Sequence, residues 1–269
     1  MTARTVAVLM GGLAGATPAA ARACPGPAVA GQLPGAEPVP VCVEEVRFSA
    51  DGLSLAGQWF TPREPGSAGP LPAAVLIRGS GPSHRGSVWT ETLAGVLVAE
   101  GVGVLVPDKR GSGASEGDWR AASFSALADD ALAGVRYLTG RPDVDAARVG
   151  LMGLSQGGMV APVAASRTDS VAFVVNVVGS AVPLLESVRF EMLHTFREEG
   201  LEGERLETAM ALVDTAVGHI RGRISWDDYE AALHGARPVL GDEIADAYFI
   251  PTPDHWRWAF FRRLEGFDA

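Results

Sequence analysis

Residues 148–165 read RVGLMGLSQGGMVAPVAA, and the order of residue types in this stretch decides the fold. The apolar run RVGLMG at 148–153 suits a buried strand and is too short for a helix. It passes through Gly153-Leu154-Ser155-Gln156-Gly157 into a run over 156–166 that reads as a helix. A strand, a sharp turn and a helix around G-x-S-x-G hold the serine in a strained conformation and lift its hydroxyl clear of the sheet. Side chains at Gly153 and Gly157 would collide with the adjoining strand and helix, so glycine is needed at both. The turn also leaves the Gln156 amide at a helix N-terminus, aimed where an oxyanion would sit. Ser155 is thus the candidate nucleophile and Gln156 a candidate oxyanion donor.

Outward from this turn, apolar runs alternate with helical segments. AAVLIR (73–78) precedes a helix over 88–100, VGVLVP (102–107) precedes a helix over 123–139, and VAFVVNVV (171–178) follows the elbow helix. Continuous apolar strands alternating with helices predict a mostly parallel sheet buried on both faces. Upstream, VEEVRFS (43–49) and LSLAGQWF (53–60) flank Ala50-Asp51-Gly52, the signature of an antiparallel hairpin. After Gly179 the strand signal ends. Helices are predicted over 184–199, 203–221, 226–234 with Ser225 as its cap, 241–248 and 253–263. Such a block would lie as a lid over the carboxyl ends of the strands, where open α/β sheets bind ligands. The chain therefore divides into residues 1–23, a Pro/Gly-rich leader over 24–42, an α/β core over 43–182 and a helical cap over 183–269.

Two further loops carry candidate chemistry. Arg78-Gly79-Ser80-Gly81-Pro82 follows the strand over 73–78, where a second main-chain oxyanion donor belongs. Position assigns it to the Ser80 amide, or failing that Gly81, with Gly79, Gly81 and His84 on the substrate side; the alternative is a glycine-rich loop of no special role. Asp108, in PDKRGSGAS, is read as structural rather than as a catalytic acid, its carboxylate accepting backbone amides and pairing with Arg110.

The hairpin, the RGSGP loop, the PDKRGSGASEG segment and the GLSQGG elbow together resemble the α/β-hydrolase superfamily. More narrowly they resemble exported bacterial hydrolases with a helical cap, a group related to dienelactone hydrolases and to prolyl oligopeptidase-like and serine aminopeptidase-like enzymes. The resemblance runs from about residue 43 to residue 179 and only loosely over 183–269. It implies a serine hydrolase acting on an ester, thioester or amide through an acyl-enzyme on Ser155. It also implies that acid and histidine follow the serine, each after a strand beyond the cap. No apolar strand follows the helical block before Ala269, so the last strands, the acid and the base are expected to be missing and activity impaired.

The five histidines do not fill that gap. His84 precedes the serine at the wrong edge for a base, and His194 and His219 lie within helical patterns. His234 also falls in the cap, and His255 beside Trp256 and Trp258 suits a packing surface. Two other readings follow: a non-catalytic remnant or small-ligand binding module, and half of a complemented enzyme. An uncovered sheet edge would also favour self-association.

Composition bounds the rest. A chain of 269 residues with 47% apolar content and 20% charged suits one large α/β domain. A formal charge of -10 argues against a nucleic-acid surface. Arg4, the short apolar stretch 5–16 and Ala21-Arg22-Ala23 read as an export signal, the alternative being an Ala/Gly-rich tail. The charge at Arg22 argues against lipid attachment to Cys24. In an oxidising compartment Cys24 and Cys42 could form a disulfide, the alternative being two free thiols. No metal cluster, dinucleotide fingerprint, phosphate loop or membrane span is found, so no cofactor is expected and the expected partner is a small acyl substrate.

Overall fold

The computed structural model describes residues 27–29, 40–63 and 69–265. The export-signal reading of residues 1–23 and the reading of Cys24 lie outside the described residues. Cys42 is disulfide-bonded.

Seven strands, β1 (Pro27–Val29), β2 (Pro40–Ala50), β3 (Leu53–Pro62), β4 (Leu71–Ile77), β5 (Gly103–Pro107), β6 (Val144–Leu154) and β7 (Val174–Val177), form one sheet in the order β1-β2-β3-β5-β4-β6-β7. The first three are antiparallel, β3 pairs antiparallel with β5, and β4 pairs in parallel with β5 and β6, as β6 does with β7. This is the α/β-hydrolase arrangement, with an antiparallel start and a parallel, doubly covered centre. The β2–β3 hairpin closes on Asp51 (φ 49°) and Gly52 (φ 79°), both left-handed as the tightest hairpin turn requires.

Helices α1 (Val88–Ala99), α2 (Phe124–Thr139) and α3 (Gln156–Ala165) cover the sheet. Val75, Leu105, Val149 and Leu151 meet Leu127, Ala128 and Ala131 of α2 and Met159 and Val160 of α3 on one face. Leu76, Val104, Val106 and Met152 meet Ala94 and Val98 of α1 on the other. Alternate strand residues thus enter opposite clusters, as the two-residue repeat of a strand requires. Ser123 starts α2 as expected, its hydroxyl accepting the Ala126 amide at 3.1 Å.

Beyond the sheet come α4 (Leu184–Glu198), α5 (Gly203–Ile220), α6 (Trp226–Leu240), α7 (Asp242–Tyr248) and α8 (Trp256–Glu265). They bury a second cluster around Phe196, Leu212, Tyr229, Leu240 and Trp258. Helix α8 belongs to both clusters, with Trp258 in the second and Phe260 and Leu264 in the first.

Several boundaries differ from expectation. Helix α6 runs through Gly235 and Pro238 to Leu240 because Ala236 and Leu240 are buried in the cap cluster, and tertiary packing outweighs weak local helix formers. Strand β6 starts at Val144, where it pairs with Leu71. Strand β7 is shorter than its apolar run, since Val178 turns left-handed at φ 50°. Val174 and Val175 point to opposite faces yet both are 38% exposed, so neither face of β7 is fully covered.

Leu138, fully buried on α2 among the sheet residues, provides the stability test. Leu138→Ala is expected to cost about 2–5 kcal/mol, read as a lower urea midpoint with unchanged denaturant slope.

Candidate active site

Ser155 sits between β6 and α3 with φ 52° and ψ -117°, a conformation rarely adopted by non-glycine residues and one that persists only where the surroundings enforce it. The enforcement is backbone crowding. A Cβ on Gly153 would lie 2.1 Å from the Gly157 carbonyl oxygen, and one on Gly157 would lie 2.1 Å from the Ile77 carbonyl oxygen. The Ser155 amide donates to the Val177 carbonyl at 2.9 Å, and its own carbonyl accepts the Gly158 amide at 2.8 Å. Asn176 ties the same corner together: its Oδ1 accepts the Gly179 amide at 2.7 Å and its Nδ2 donates to the Gly158 carbonyl at 3.3 Å. The outcome is an exposed Ser155 beside a buried Gln156, whose amide opens α3 among the N–H groups that a helix leaves unpaired.

The loop after β4 arrives at this serine. A Cβ on Gly79 would lie 3.4 Å from Ser155 Cβ and 3.9 Å from its Oγ. Ser80 is exposed and Gly81 is left-handed at φ 81°. The loop is held from beneath. The Arg78 guanidinium donates through Nη1 to the His84 carbonyl at 2.5 Å, the Lys109 amide donates to the Ser83 carbonyl at 3.0 Å, and the Ser83 amide donates to Ser112 Oγ at 3.2 Å.

Lys109 is the residue that sequence reasoning passed over. Its Nζ donates to the carbonyl of Gly79, to that of Gly81 at 3.2 Å and to Gln156 Oε1 at 2.9 Å. One side chain therefore joins the loop after β4 to the residue after Ser155. Burial, reinforced by the nearby Arg78 charge, pulls the Lys109 ammonium down to about 8. Arg78 itself is 6% exposed, and burial lowers its pKa too.

Asp108 is fully buried. Its carboxylate accepts the Arg85 amide at 2.6 Å, Arg85 Nε at 3.0 Å and the Ala114 amide at 3.0 Å, so it joins two loops in a structural role. The expected pairing with Arg110 does not occur. Arg110 instead donates to both oxygens of Asp130 on α2 at 2.7 and 2.8 Å, which raises its pKa. The Asp108 carboxylate is already filled by main-chain amides and Arg85, and α2 offers Arg110 a bidentate partner.

The histidines are engaged elsewhere. His84 is exposed, its Nδ1 2.7 Å from the Arg85 carbonyl. His194 is exposed against Phe190 at 4.5 Å, and His234 is exposed on α6. His219, packed against Trp226, Tyr229 and Trp258, has Nδ1 3.0 Å from the Ile224 carbonyl and Nε2 2.9 Å from Arg262 Nη2. His255 Nδ1 accepts the Arg257 amide at 3.3 Å. Among the described residues none of these bonds reaches Ser155 or a carboxylate. No group of three or more His, Cys, Asp or Glu among them could hold a metal ion, and no helix of theirs is long and apolar enough to cross a membrane.

Three kinds of similarity to known proteins are found. Residues 34–215 match the family described as X-Pro dipeptidyl-peptidase (S15 family). An uncharacterized protein of Mycobacterium tuberculosis, found in two strains, is 38% identical over 133 residues, which cover 49% of this chain and 44% of that protein. The match thus spans under half the length of those relatives. Among solved structures, an α/β hydrolase from Penicillium is 21% identical with a TM-score of 0.47, covering 74% of this chain and 77% of that one. An esterase from Pyrococcus furiosus is 22% identical with a TM-score of 0.48, covering 58% and 55%.

Asp108→Ala strips three donors of their acceptor and leaves Arg85 paired with Glu45 among the described residues. A loss of about 3 kcal/mol is expected, read in chemical denaturation, together with faster proteolysis of the loop over 79–86.

Proposed function

Because the chain belongs to the X-Pro dipeptidyl-peptidase (S15) family, we propose that it is a serine hydrolase of ester, thioester or amide bonds acting through an acyl-enzyme on Ser155. The observation that carries this reading is the strained, exposed serine with the Gly79 backbone alongside it. The Ser155 hydroxyl attacks an acyl carbon, its proton passes to a base, and the carbonyl oxygen gathers negative charge. The amides of Gln156 and Ser80 receive that charge as preorganised donors. Collapse of the tetrahedral species expels the alcohol, thiol or amine and leaves the acyl group on Ser155, which water then removes.

The same reading includes low reactivity in this chain. Among the described residues no hydrogen bond of a histidine ring reaches Ser155, and a serine hydroxyl without a base is a poor nucleophile at neutral pH. What persists in such a site is the contribution of oxyanion donors and binding alone. This state also supports a second reading, in which the pocket holds a small acyl or carboxylate ligand without turning it over. The partly uncovered β7 supports a third, in which another polypeptide pairs with that edge and supplies a base. We further place the protein outside the cytoplasm, a reading supported by the disulfide at Cys42.

A fluorophosphonate probe tests the proposal. Covalent labelling of the wild-type protein that vanishes in Ser155→Ala is expected, at a rate about 10³-fold or more below that of a serine with a complete triad. Labelling at any other residue, or equal labelling of Ser155→Ala, overturns it. Release of p-nitrophenol from p-nitrophenyl acetate, measured as burst against steady state, then separates turnover from a trapped acyl group.

A further inference from the structure

We propose that Lys109 is a positioning residue for the oxyanion pocket, whose ammonium holds the loop after β4 against the nucleophile turn by spending all three of its protons on that contact. The inference rests on the reading of Ser155 as nucleophile and deepens it. Its basis is a count of donors. An ammonium has three N–H groups, and the structure provides three acceptors: the Gly79 carbonyl, the Gly81 carbonyl and Gln156 Oε1. Two of these flank Ser80, the residue whose amide faces the forming charge. The third belongs to Gln156, whose amide is the other donor. The spacing between the two main-chain donors is thus set by a single atom, Lys109 Nζ.

The surroundings explain why a lysine can do this. The ammonium is partly buried, so solvent screens the contact less than it would at an open surface. Arg78, at the end of β4, anchors the far side of the same loop through the His84 carbonyl, and Arg85 anchors it through Asp108. Arg110 is withdrawn by Asp130 on α2. His84 faces solvent and bonds the Arg85 carbonyl. Of these groups only Lys109 bonds both the loop carbonyls and Gln156, since Arg78 donates to the His84 carbonyl, Arg85 to Asp108 and Arg110 to Asp130. Neutral lysine supplies only two N–H groups, so deprotonation must release one of the three acceptors. With the ammonium drawn down to about 8, this release falls on the alkaline side of neutrality. As pH climbs through that value the protonated fraction drops, the loop loosens and the pocket loses its geometry.

Two measurements test the clasp, one through reaction and one without it. Fluorophosphonate labelling of Ser155 in the wild type is expected to fall on the alkaline side near pH 8, whereas Lys109→Met is expected to label about 10- to 100-fold more slowly with that alkaline limb absent. Converting Lys109→Cys with bromoethylamine restores an amine of the same length and is expected to restore both rate and limb. Amide hydrogen exchange at residues 79–83 and 156–158 is expected to be faster in Lys109→Met at neutral pH, and faster in the wild type above pH 8 than below it. Wild-type labelling rates and an unaltered pH profile in Lys109→Met would overturn the proposal. If the wild type takes no label at any pH, the reading of Ser155 fails and exchange alone decides: unchanged protection in Lys109→Met overturns the clasp, and lost protection upholds it.

Discussion

Three backbones meet at the nucleophile turn with no room for a single methyl group among them. The Ile77 carbonyl that ends β4 abuts Gly157 in the first turn of α3, and Gly157 in turn abuts Gly153 at the end of β6. Because the contact is main chain to main chain, no side-chain rotamer can relieve it, and the Ser155 torsions are imposed rather than chosen. The same contact starts the loop after β4 directly beside the serine, and the bonds of Lys109 to Gly79, Gly81 and Gln156 hold it there. Ser155 and the candidate oxyanion donors therefore meet at one corner of the fold.

How much of this was legible in the sequence follows from the range of each interaction. The apolar runs of the strands, the Asp51-Gly52 turn and the glycines of the elbow are local patterns, and local patterns specify torsions and faces. Helix ends were less legible where packing rather than capping decided them: Ser123 and Ser225 mark true starts, whereas α6 continues past Gly235 because Ala236 and Leu240 have a core to enter. Long-range polar choices were least legible. Asp108 and Arg110 are two positions apart, and only the fold reveals that α2 supplies a better partner for the arginine. Lys109 bonds residues 28, 30 and 47 positions away, and no periodicity encodes such a meeting.

Charge distribution gives the site a character that net charge conceals. The chain carries -10 overall, yet Arg78 and Lys109 lie beneath the loop after β4 bonded to main-chain carbonyls and Gln156, while Arg85 and Arg110 are ion-paired with Asp108, Glu45 and Asp130. A local positive excess under main-chain amides favours negative charge developing at the serine, and in a buried setting that preference is stronger than at a wet surface.

Helix α8 bears on how the molecule comes apart. Successive faces of this one helix enter two different apolar clusters, with Trp258 beside Tyr229 and Phe260 beside Trp119. A segment that shares its side chains between two cores makes each a condition of the other's survival, since it cannot peel from one while remaining ordered in the other. Layers that could otherwise melt in sequence should then melt as a single cooperative unit, with Trp59 in the sheet and Trp226 above it losing their environments at the same temperature.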